Sequence, residues 1–101
     1  MSLETLRKRL NELDRQLIEL IAERQSVVEQ VGAFKQSEGQ AIRDYAREKS
    51  VLAGARGTAD KLGIAPDIAE QVMRLLIKTS LTRQELERVR VEGQGDGQRA
   101  L

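Results

Sequence analysis

Cysteine, histidine and tryptophan are absent from this sequence, proline occurs once, and the only aromatic side chains are Phe34 and Tyr45. Without thiolates or imidazoles the chain cannot build a Cys/His zinc site, a cysteine or serine–histidine nucleophile, or a histidine acid/base. Any chemistry therefore runs on Asp, Glu, Lys, Arg and neutral donors. So few aromatics leave little large apolar area for a core, and a folded monomer of about 100 residues buries only roughly 60–65% of its unfolded surface. A second subunit is the natural source of the missing area. Excess charge of one sign is lacking too: 17 Lys+Arg face 16 Asp+Glu, so there is no bulk basic field to attract nucleic acid. Long apolar runs are missing as well. Leu75-Leu76-Ile77 is interrupted by charge within a few residues, and no charged segment precedes an apolar one at the start. The reading is a soluble, cytoplasmic protein with neither nucleic acid nor membrane among its partners.

What the sequence does contain is helical periodicity. Apolar residues fall at Leu3, Leu6, Leu10, Leu13, Leu17, Leu20, Val27, Val31 and Phe34, a three-four seam in which Arg24 occupies the missing position. One helix from about residue 3 to about residue 37 is predicted, roughly 50 Å long at ~1.5 Å per residue, ended by Ser37-Glu38-Gly39-Gln40. Asp44 suits the N-cap of a second helix that carries Tyr45, Leu52, Ala55, Ala59 and Leu62 towards Gly63. Pro66 suits the first turn of a third, with Ile68, Val72, Met73, Leu76 and Ile77 on its stripe and an end near Val89. The Gly-rich stretch after it reads as a flexible tail or linker, which divides the chain into residues 1–90 and 91–101. The fold class is all-α. A first helix nearly twice as long as the second would leave its seam uncovered in a monomer, so two copies are expected to pack it antiparallel in an intertwined homodimer.

Polar residues interrupt each stripe: Arg24 in the first, Glu48 in the second, and Ser80 with Gln84 following Met73, Leu76 and Ile77 in the third. A single polar seam residue can simply fix register, and Ser80, Gln84 or Lys35 taken singly suit a solvated face. Together they point to a shared polar pocket, because buried polar groups are costly unless paired. Arg24 and Lys35 are separated by three helical turns and share a face about 16 Å apart. Arg7 lies on the same face but about 42 Å from Lys35. In an antiparallel pair centred near residue 20, the partner's copy of that arginine falls opposite about residue 33, between Arg24 and Lys35. Two guanidiniums and an ammonium around a dry cavity suit a small dicarboxylate.

These residues make the chain resemble the all-helical class of chorismate mutases. The matching text is Leu6-Arg7, Leu13-Asp14, Ala22-Glu23-Arg24, Val31-Gly32 with Lys35, Ile42-Arg43-Asp44-Tyr45-Ala46-Arg47-Glu48, and Ser80 with Gln84. The resemblance implies a homodimer of aromatic amino acid biosynthesis that rearranges chorismate to prephenate without metal or cofactor. It implies that Arg7 from the partner and Arg24 bind the two carboxylates, that Lys35 and Gln84 donate to the ether oxygen, and that Glu48 and Asp44 hold the ring hydroxyl. Ser80 would assist a carboxylate and Arg47 would line the pocket. Similar chains occur free and as N-terminal domains fused to prephenate dehydrogenase or prephenate dehydratase. Rival readings are an isochorismate-pyruvate lyase or an aminodeoxychorismate mutase on the same scaffold, or a non-catalytic helical dimerisation module.

Overall fold

The computed structural model describes residues 1–100, with side chains through residue 93. Three helices follow in order, α1 (Leu3–Ser37), α2 (Tyr45–Lys61) and α3 (Pro66–Ala100), with no strand among the described residues. The boundaries have local causes. Ser2 caps α1, its hydroxyl accepting from the Thr5 amide at 3.1 Å, and Asp44 caps α2, its carboxylate accepting from the Arg47 amide at 3.0 Å. Both C-termini turn through a glycine with positive φ, Gly39 at 68° and Gly63 at 73°. In each case the next amide reaches back five residues, Gln40 to the Lys35 carbonyl at 2.8 Å and Ile64 to the Ala59 carbonyl at 2.9 Å.

The third helix differs from expectation. It runs past Val89 through the described residues 91–93 and to Ala100. Nothing between Pro66 and Glu92 breaks it, Glu87 and Arg90 pair one turn apart, and Val91 lines the groove between α1 and α3. For most of the tail expected at 91–101, side chains lie outside the described residues.

α3 is the hub of the molecule, packing on both other helices, while α1 and α2 do not touch. The result is long and thin, 68 × 30 × 16 Å, with a radius of gyration of 18.5 Å against about 13 Å for a compact domain of this length. Among the described residues only Ala59, on α2, is fully buried, at 3% exposure. The apolar seam of α1 stays in solvent along its whole length, with Leu17 at 56%, Val27 at 56% and Phe34 at 61% exposed. The face α1 turns inward is a neighbouring one, made of Ile21, Arg24, Gln25, Val28, Gly32 and Lys35. No described helix is long and apolar enough to cross a membrane.

Candidate active site

Polar ties join the C-terminal half of α1 to α3. Gln84 Nε2 donates to the Val28 carbonyl at 3.0 Å. Arg88 donates through Nε to Gln36 Oε1 at 2.7 Å and through Nη2 to the Gln40 carbonyl at 3.0 Å, and Arg83 pairs with Glu29 at 2.6 Å. Gly32 lets Gln84 approach: a Cβ built there would stand 3.0 Å from Gln84 Nε2 and 3.2 Å from its Cγ. Glycine inside a helix costs stability relative to alanine, and here the missing methyl is the space that the amide occupies.

The eight candidate residues sort by solvent access. Arg24, Lys35, Glu48, Ser80 and Gln84 are half-buried, whereas Arg7, Asp44 and Arg47 are exposed. Arg24 turns Nη1 into the protein, where it is buried and has no hydrogen-bond partner. Lys35 Nζ donates to the Ile42 carbonyl at 2.9 Å, which anchors the ammonium under the loop leading to α2. Asp44 is engaged as the α2 cap. Arg7 is not brought near the others: it precedes Arg24 by about 25 Å of helix.

Two cavities flank the inner face of α3. The larger, about 570 Å³, lies between α1 and α3 and receives Ser80 and Gln84 beside Val28 and Gly32. The smaller, about 440 Å³, lies between α2 and α3 and receives Glu48, with Leu52, Ile77 and Leu81 as apolar wall. A single chain thus places three of the eight candidates at these cavities, on two sides of one helix, while Arg7, Arg24, Lys35, Asp44 and Arg47 line neither.

Sequence reasoning gave no role to Arg43, yet it is the closest partner of a candidate acid. Its Nε and Nη2 donate to Glu48 Oε2 and Oε1 at 3.0 and 3.2 Å, and this bonding raises the guanidinium above its ordinary pKa. The spacing of five across a helix N-terminus is not a helix-surface pairing, so no periodicity announces it. The structural role of Gly32 was also missed, although the only glycine between Leu3 and Ser37 was a visible signal.

The sequence pattern of the family described as chorismate mutase type II matches residues 6–85. The chain belongs to the type II chorismate mutase family. It is 38% identical over 80 residues to the T-protein of Enterobacter agglomerans, covering 79% of this chain and 21% of that protein. It is 39% identical over 79 residues to the T-protein of Haemophilus influenzae, covering 78% and 21%. It is 31% identical over 87 residues to the chorismate mutase of Methanocaldococcus jannaschii, covering 84% of this chain and 88% of that one. The chain spans about a fifth of the length of the two T-proteins. Family membership accounts for the three-helix order, and the matched stretch contains all eight candidate residues.

Proposed function

We propose that this chain is a chorismate mutase acting as a homodimer, with residues 1–90 as the mutase unit of a soluble, cytoplasmic enzyme of aromatic amino acid biosynthesis. The observation that carries the reading is Arg24. A buried guanidinium nitrogen without an acceptor is costly, and a substrate carboxylate is an acceptor of the right charge and shape. The pattern of burial supports the roles: Arg24, Lys35, Glu48, Ser80 and Gln84 are drawn inward, and Arg7 is left in solvent at the far end of α1, where a partner chain could take it.

The rearrangement breaks the C–O bond of the enolpyruvyl ether while a C–C bond forms to the ring, and no proton moves. Since C–O cleavage leads, negative charge grows on the ether oxygen. Lys35 and Gln84 donate there, and their bonds strengthen in the transition state, which is where such donors accelerate a reaction. The partner's arginine and Arg24 hold the carboxylates, so that the side chain lies over the ring, while Glu48 with Asp44 holds the hydroxyl; Arg47 and Ser80 complete the wall. Incubation with chorismate, following loss of its absorbance and identifying the product, tests the reading. Prephenate is expected, and pyruvate release or no reaction overturns it.

A further inference from the structure

Glu48 is the acid of the candidate set that is withdrawn from solvent, with 19% of its side chain exposed. Both of its oxygens are engaged by the fork of Arg43, which lies outside α2. The Tyr45 ring sits 4.5 Å from the guanidinium carbon and braces the plane of that fork. Arg74 and Lys78 line the same cavity, but Arg74 is turned to Glu70 at 3.4 Å. Among the described residues, Arg43 is the cation within salt-bridge distance of Glu48.

We propose that Arg43 is a positioning residue that makes this site prefer a hydroxyl over an amino group on the substrate ring; this rests on the reading that Glu48 receives that substituent. The fork occupies one lone-pair position on each carboxylate oxygen and leaves the others free to accept a hydroxyl proton. It also cancels the carboxylate charge. A neutral hydroxyl needs only the acceptor, so it loses nothing by the cancellation. An ammonium, as carried by aminodeoxychorismate at neutral pH, meets the repulsion of Arg43 along with the attraction of Glu48. Discrimination therefore resides in the arginine, not in the carboxylate alone.

The test is the inhibition constant of aminodeoxychorismate against chorismate turnover, divided by the KM for chorismate, in the full chain. Arg43→Gln should lower this ratio about three- to fivefold, the upper part of the range for one part-exposed charge pair. Arg43→Lys, which keeps the charge, should hold the ratio within about twofold of the parent. Glu48→Gln should raise it, because the cation is then unopposed. A loss of fold would weaken both ligands together and leave the ratio unmoved. If Arg43→Gln does not fold, the parental ratio of Arg43→Lys together with the raised ratio of Glu48→Gln decides the matter. A ratio unchanged in Arg43→Gln or in Glu48→Gln, in a variant whose circular dichroism matches the parent's, overturns the proposal. Chorismate turnover that survives Glu48→Ala intact, with no acceptor left at that position, overturns instead the reading beneath it.

Discussion

Replacing Gly32 by alanine separates stability from catalysis. In the interior of α1 the substitution should gain about 1 kcal/mol of helix propensity. Against this, the new Cβ would lie 3.0 Å from Gln84 Nε2, 3.2 Å from Cγ and 3.3 Å from Cδ, so the amide must withdraw by a few tenths of an ångström. That withdrawal weakens its bond to the Val28 carbonyl, worth about 1 kcal/mol net. The two effects nearly cancel, and Tm should move by no more than about 4–8 °C, the equivalent of 1 kcal/mol for a domain of this size. Catalysis has no such compensation. One N–H of Gln84 is anchored on Val28 and the other is the proposed donor to the ether oxygen; displacing a donor of this kind costs about 10²-fold when fully lost or misplaced by ~1 Å. We expect kcat/KM to fall about 10- to 100-fold, mostly in kcat. Gly54 and Gly57 in α2 provide the control, since a Cβ at either meets nothing within 4 Å. Alanine there should stabilise by up to about 1 kcal/mol with activity retained. Thermal melts by circular dichroism and steady-state loss of chorismate decide. A Gly32→Ala enzyme with parental kcat would remove Gln84 from the reacting atoms.

Three further outcomes follow from the same geometry. If folding and association are coupled, Tm should rise with protein concentration, whereas a concentration-independent midpoint with a monomer in sedimentation would exclude the homodimer. Arg7→Ala and Arg24→Ala chains, each nearly inactive alone, should regain activity on mixing, because a heterodimer then holds one intact pocket; exchange of subunits without recovery would place Arg7 elsewhere. Gln84→Glu should keep activity at acidic pH and lose it as pH rises, since a glutamate donates only when protonated and its carboxylate repels the developing charge. A kcat/KM profile between about pH 4 and 8, the span around ordinary and moderately raised glutamate pKa values, should slope downward, and one parallel to the parent's would refute the role.

The helices were legible because their signals are local: Asp44 as a cap, Pro66 at a first turn, Gly39 and Gly63 just past the ends. The end of α3 was not, because the glycines after Val91 outweighed a stripe and a Glu87–Arg90 pair that continue the helix. Of the candidate site, the choice of inward residues was legible from polar interruptions of the stripes, as Arg24, Glu48, Ser80 and Gln84 illustrate. Their partners were not. Gln84 meets the carbonyl of Val28 across 56 positions, Lys35 meets Ile42 only after the chain reverses at Gly39, and Arg43 meets Glu48 across a helix start. None of these pairings follows a helical period, so each depends on how elements dock.

The solvent exposure of residues 1–20 has a consequence for amide hydrogen exchange. The ties from α1 to α3 begin at Val28, so in a lone chain the first half of α1 opens without disturbing the rest, and its amides should exchange at rates close to those of a free peptide helix. Packing against another chain would couple those amides to global unfolding. The protection of Leu6 through Leu20 relative to Val28 through Lys35 is therefore a residue-by-residue gauge of cover on the seam, readable without any substrate and before any side chain is changed.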